Sequence, residues 1–199
     1  MIVMAFGYIS AALSILMVLP YIRDILMLKT KPERASWFIW TVLGLIAFFS
    51  QFAKGATGSL WLTAGQTLAV FIVLLFAIRY GVGGFAKRDK LALAAAGFGL
   101  ILWYLTKEAY TALLMVIAID AIGSMLTLLK AYEHPETETL STWVMSGTSG
   151  VFGALAVGGI HWILLSYPLY IILANYSITA AILFGRKRKR LASASIDTQ

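Results

Sequence analysis

Long apolar runs separated by short polar gaps set the pattern of this chain. Seven runs stand out, at about 2–22, 36–53, 58–79, 90–106, 108–130, 139–158 and 162–184. A bilayer core about 30 Å thick takes about 20 apolar residues per helix. In lipid every backbone amide and carbonyl must be paired within its own segment, so each run predicts a membrane-spanning helix. The fourth run, Leu91 to Thr106, is Ala- and Gly-rich and the shortest. Met1 to Leu19 lacks the basic flank of a secretory signal and reads as a retained first helix. The expected fold class is an all-α integral membrane protein with seven transmembrane helices.

Composition agrees with this pattern. Sixty per cent of the residues are hydrophobic, 13% are charged, and the mean hydropathy is +0.85. Soluble domains run nearer a quarter charged. There is no cysteine, which excludes disulfides, thiolate metal sites and cysteine nucleophiles.

Basic residues orient the spans. With the N-terminus outside, the inner segments hold Arg23, Lys29, Lys31, Arg34, Arg79, Lys87, Arg88, Lys90, Lys130 and Arg186 to Arg190, which is fourteen of the sixteen Lys and Arg. Only Lys54 and Lys107 stay outside. This is the positive-inside asymmetry, and it requires the fourth span. It places the C-terminus in the cytoplasm and the protein in the plasma (inner) membrane. Trp61, Tyr80, Tyr110, Trp162 and Tyr167 near span ends suit aromatic belts. The run Arg186-Lys-Arg-Lys-Arg190 directly follows a span, which points to contact with anionic lipid and not to nucleic acid.

The chain also repeats itself. At a constant offset of 103, Pro32, Glu33, Trp40, Gly44, Phe49 and Gly55 fall on Pro135, Glu136, Trp143, Gly147, Phe152 and Gly158 without a gap. The repeat pairs spans 1–3 with spans 5–7. Two units of three helices become parallel only if one helix intervenes, which gives two parallel three-helix bundles plus a linker helix (3+1+3). The organisation expected is repeat 1 over 1–80, linker helix over 81–107, repeat 2 over 108–185 and a basic cytoplasmic tail over 186–199.

This layout, with Leu19-Pro20-Tyr21 ending the first span ahead of Lys29-Thr30-Lys31, resembles the SWEET and PQ-loop transporter superfamily, whose halves are parallel repeats. The Trp37-Phe-Ile-Trp40 element is similar, more distantly, to that of nicotinamide riboside transporters of the same layout. A Pro-Gln pair is missing, and Gly123 stands where the second repeat would carry Pro20's counterpart. The resemblance implies alternating access around a midplane site, with Pro20 and Gly123 as hinges.

Polar groups at membrane depth need a partner or a purpose. Asp120 is the one carboxyl in mid-span, and a buried carboxyl favours its neutral form. It is the candidate for proton coupling, against a role in packing. Gln66 and Thr67 in the third span, with Asn175 and Tyr176 in the seventh, put an amide from each half at similar depth. Amides both donate and accept, as a substrate site requires; hydrogen bonding between helices is the competing role. The resemblance implies an asparagine in each of these spans, matched by Asn175 and replaced by Gln66. Trp40 and Trp143, being repeat equivalents, are candidates for the solute pathway, whereas Trp37 is expected in the interfacial belt. Gly147, Gly150 and Gly153 suit close helix approach.

His134 and His161 lie on opposite sides and cannot share a metal, and no catalytic motif is present, so neither an enzyme nor a cofactor is expected. The function expected is transport of a small neutral polar solute, most readily a sugar. The alternatives are a proton-coupled amino-acid or vitamin/nucleoside transporter using Asp120, and a receptor or scaffold like the KDEL-receptor branch of the same fold. A small-molecule substrate and anionic lipid are the expected partners, and an oligomer is allowed. Orientation is checked by single cysteines on this cysteine-free background. Thr57→Cys reacts with a membrane-impermeant maleimide on intact cells, whereas Ser193→Cys reacts only after lysis.

Overall fold

A computed structural model of the chain describes residues 2–30, 32, 34–81 and 108–196, with scattered positions between 87 and 105. Among the described residues the protein is all-helical and has no strand. The order is α1 (Ile2–Leu16), α2 (Val18–Leu26), α3 (Arg34–Ala53), α4 (Leu60–Tyr80), α5 (Ala109–Glu133), a 3-10 turn (Pro135–Thr137), α6 (Leu140–Leu155) and α7 (Trp162–Ile196). Each expected span except the fourth coincides with one of these helices, α1 and α2 together making the first. The expected fourth span and linker lie outside the described residues, apart from scattered helical positions. Among the described residues four stretches are long and apolar enough to cross a bilayer: Ile2–Leu26, Leu60–Tyr80, Leu113–Glu133 and Trp162–Ser193. Trp37–Ala53 is a shorter apolar helix, and α6 has 16 residues, about 24 Å at 1.5 Å per residue. Such helices suit a membrane-embedded protein.

The break between α1 and α2 falls at Met17. Proline has no N–H and its ring crowds the carbonyl four residues back, so Pro20 disrupts the helix at Leu16 and Met17. The disturbed turn is held from outside, since Thr142 of α6 donates to the Met17 carbonyl at 3.2 Å. At Gly123 the outcome differs. Helix α5 runs through it unbroken, because glycine keeps its N–H and imposes no kink.

Two glycines end the second span of each repeat. Gly55 (φ 78°) and Gly158 (φ 74°) adopt the left-handed conformation that stops a helix at no steric cost. After α3 the Gly55 N–H bonds the Phe52 carbonyl and the Ala56 N–H bonds that of Gln51, a complete Schellman closure. After α6 the inner bond, from Gly158 to Leu155, is present.

The helices pack side by side as a closed ring in the order α1, α4, α3, α5, α7, α6 and back to α1. Small residues bring the neighbours close. A methyl added at Gly65 of α4 would lie 2.9 Å from Ser14 Cβ and 3.0 Å from Ala11 Cα, both in α1. Gly150 faces Ile171 and Ile172 of α7, and Gly153 faces Leu62 of α4, so α6 is gripped on two sides. Apolar side chains fill three regions: Ile39, Leu43, Ile46, Leu62, Leu113, Val116 and Ile171; then Val18, Ile25, Ala69, Val73 and Ala77; and Ala131, Ile178 and Ile182. Pro32 and Pro135, repeat counterparts, are both fully buried. The indoles of Trp61 and Trp162 and the phenols of Tyr80 and Tyr110 are exposed at helix ends, as belt residues are. Trp37 and Tyr167, expected to join them, are instead buried, each having its side chain on the inner face of its helix.

The seventh span does not stop at 184. Helix α7 continues through Arg186 to Arg190 as far as Ile196, since Lys and Arg extend a helix already begun at little cost. Lys189 pairs with Glu136 at 2.8 Å and Arg188 lies 4.4 Å from the Tyr132 ring centre, docking the extension on the turn after α5. The Lys189 ammonium holds the Glu136 carboxyl below its ordinary value. The contact is exposed and sets the direction of the tail more than it adds stability.

Gly65→Ala is expected to force α1 and α4 apart and to destabilise the protein by about 1–3 kcal/mol. Gly97→Ala, where a methyl meets no atom of the described residues within 4 Å, is expected to leave the melting temperature in detergent unchanged or slightly raised.

Candidate functional site

At the centre of the ring lies a cavity of about 80 Å³, lined by five of the six packed helices, α3 to α7, and by the turn at Met17. Helix α3 contributes Trp37, Trp40, Leu43 and Gly44, and α4 contributes Gln66, Thr67 and Val70. Helix α5 presents Val116, Asp120 and Ser124, and α6 presents Thr142, Trp143 and Ser146. Helix α7 adds a stripe, Tyr167, Ile171, Ala174, Asn175 and Ile178, spaced as one face of an α-helix.

Gln66, Thr67, Asn175, Trp40, Trp143 and Asp120 thus come together around one space. Tyr176 does not. One residue on from Asn175 is about 100° around the helix, so Tyr176 points outward, 38% exposed, with its hydroxyl 2.9 Å from Thr148 Oγ1 and its ring against Gly147. Pro20 lies outside the lining, one turn beyond the break it causes. Gly123 lies under Trp40, where a methyl would be 3.5 Å from the indole Nε1.

Each polar group in the lining has a distinct set of partners. Gln66 Nε2 donates to Ser146 Oγ at 3.0 Å and to Ser149 Oγ at 2.9 Å, tying α4 to α6. Ser149 donates to the Ser146 carbonyl, and Ser10 of α1 donates to the Ser149 carbonyl at 2.7 Å. The Gln66 amide nitrogen is therefore committed to joining α4 to α6, and Ser149 links that pair to α1. Asn175 Nδ2 donates to the Ile171 carbonyl one turn back, at 2.8 Å. Trp143 Nε1 donates to Glu138 Oε2 at 3.1 Å, and Glu138 is held in turn by Lys130 at 3.0 Å. Thr67 Oγ1, buried over Gly44, has no hydrogen-bond partner among the described residues.

Asp120 is held by neutral groups. Tyr170 donates its hydroxyl to Asp120 Oδ2, Ser124 Oγ donates to the same oxygen at 3.3 Å, and the two hydroxyls lie 3.0 Å apart. Among the described residues no Lys, Arg or His lines the cavity. Tyr170 was missed from sequence because it sits five residues before Asn175, at the edge of the face that Asn175 marks. Trp37 and Tyr167 could have been found, as they continue the helical registers of Trp40 and Asn175. The indoles of Trp37 and Trp40 meet edge to face, 5.0 Å between centres at 87°, and Trp37 packs in turn on Tyr21 at 5.1 Å. This sets the plane of Trp40 at the cavity wall.

No family model, curated protein or solved structure matches this chain.

The Gln66 to Ser149 contact is measured by a double-mutant cycle. Gln66→Leu with Ser149→Ala is expected to show a coupling of about 0.6 kcal/mol and no more than about 1.7 kcal/mol in unfolding experiments, the range for hydrogen bonds between membrane helices.

Proposed function

We propose that the protein is a SWEET-like membrane carrier that moves a small polar solute by alternating access, two three-helix bundles rocking around the central cavity. The observation that carries this reading is the order of helices in the ring. Going round, the first bundle reads as span 1, span 3, span 2 and the second as span 5, span 7, span 6. A half turn therefore carries each helix onto its repeat counterpart, with the cavity on the axis. Three pairs at the offset of 103, Met17 and Asp120, Trp40 and Trp143, Leu43 and Ser146, all line that cavity. The left-handed glycines 55 and 158 obey the same offset.

Carriers of this kind need a polar site that both bundles share and seams that can shift. Gln66 and Thr67 reach the cavity from the first bundle, and Asn175 and Asp120 from the second. The two seams between bundles differ. Where α1 and α2 meet α6, Ser10, Thr142 and Thr139 hydrogen-bond across, Thr139 Oγ1 to Asp24 Oδ2 at 2.7 Å. Where α3 meets α5, Ile39, Leu43, Ile46 and Ala47 pack on Leu113 and Val116, an apolar contact with less geometric preference. In this reading the fourth span links the bundles, the N-terminus is outside, and the basic end of α7 lies at the cytoplasmic face against anionic lipid.

A neutral sugar is the solute that the family resemblance favours. A second reading, coupling to protons through Asp120, draws on the Tyr170 and Ser124 hydroxyls, a short path for a proton to and from the carboxyl. Flux into proteoliposomes tests both. Gln66→Ala and Asn175→Ala are expected to lower uptake about tenfold, a barrier change of roughly 1.4 kcal/mol. Uptake of every transported solute at the parent rate in both variants would remove these residues from the site. With proton coupling, an inward pH gradient drives accumulation in the parent and not in Asp120→Asn. Saturable ligand binding without flux of any solute would favour a receptor of the same fold.

A further inference from the structure

Among the described residues, one carboxyl, Asp120, and four aromatic side chains, Trp37, Trp40, Trp143 and Tyr167, line the cavity. We propose that it is an aromatic cage for a compact monovalent organic cation, with Asp120 as the counter-charge and Trp40, Trp143 and Tyr167 as walls. The inference rests on this cavity being the solute site and narrows the class of solute.

Three observations converge. The first is electrostatic. Asp120 lines the cavity, no Lys, Arg or His among the described residues does, and the groups bonded to the carboxyl are two neutral hydroxyls that donate to the same oxygen. A carboxyl held only by neutral donors has no counter-charge from those partners, and in a low-dielectric site its ionised form and a bound cation favour each other strongly. The second is the surface. Indole is the best aromatic partner for a cation, through the negative face of its ring. Trp40 is fixed in plane by the edge of Trp37, and Trp143 by its bond to Glu138.

The third is the state of the hydrogen-bond donors. The nitrogens of Gln66, Asn175 and Trp143 already donate to Ser146 and Ser149, to the Ile171 carbonyl and to Glu138. An anion would need those donors, and a sugar would need donors and acceptors in similar number. A cation without N–H or O–H at its charged centre needs neither, only π faces and a counter-charge. Thr67 Oγ1, buried and without a partner, is left to meet a hydroxyl on the uncharged end of the solute.

Binding of choline, tetramethylammonium and N-methylpyridinium to the full chain in nanodiscs, measured by calorimetry, tests this. Choline is compared with 3,3-dimethylbutan-1-ol, which has its shape without its charge. At least one of the three cations is expected to bind saturably, and choline about tenfold or more tighter than the alcohol. Asp120→Asn is expected to remove that preference and Trp40→Leu to weaken it. Absence of binding by all three cations, equal binding of the alcohol, or a preference untouched by Asp120→Asn would overturn the cage. The comparison of the two ligands uses the unaltered protein, so it stands even where a variant fails to fold. Flux separates the two readings. A cation bound selectively but never carried into proteoliposomes overturns the carrier and leaves the cage. Glucose carried without selective cation binding overturns the cage and leaves the carrier.

Discussion

An apolar solvent offers no hydrogen bonds to the backbone, and everything else in this protein follows from that. Each span must satisfy its own amides and carbonyls, so the chain becomes a set of helices. Helices in lipid gain little from burying more apolar surface, so they associate through close packing and a few polar contacts. Gly65 against Ala11 and Ser14, and Gly153 against Leu62, are the close-packed contacts. Gln66 with Ser146 and Ser149 is the polar one. Polar side chains that face lipid would lose their partners, so they turn inward, and a ring of six helices gathers them at its centre.

The exceptions to backbone pairing are informative for the same reason. Pro20 deprives the Leu16 carbonyl of its helical hydrogen bond, and the neighbouring Met17 carbonyl accepts one from Thr142 of α6. A flaw in one helix thereby becomes a contact between two. Its repeat counterpart, Gly123, leaves α5 whole and instead lets Trp40 lie close to the helix. The contact of α1 and α2 with α6 is hydrogen-bonded, while the contact between α3 and α5 is apolar.

At the cavity, side chains that face a common space also hold helices together. Gln66 was a candidate for solute contact, and its nitrogen is spent on joining helices. Asn175 lines the cavity yet donates to its own helix. What faces inward is therefore richer in aromatic faces and acceptors than in donors, and Asp120 supplies the charge. That balance, more than any single residue, defines what the cavity can hold.

Much of this was legible in the sequence. The apolar runs located the helices because lipid leaves the backbone no alternative. The offset of 103 paired Trp40 with Trp143 because both halves obey the same packing, and the isolation of Asp120 marked it out because charges are costly at depth. Which face of a helix turns inward is a different matter, since an all-apolar span shows little periodic contrast when both lipid and protein interior are greasy. Tertiary packing therefore decided that Trp37 and Tyr167 line the cavity and are not in the belt. It also decided that Tyr176 points out while Asn175 points in, and that Tyr170 of α7 meets Asp120 of α5 across fifty residues of chain. Such contacts join side chains that no local pattern relates, and they exist only once the ring has closed.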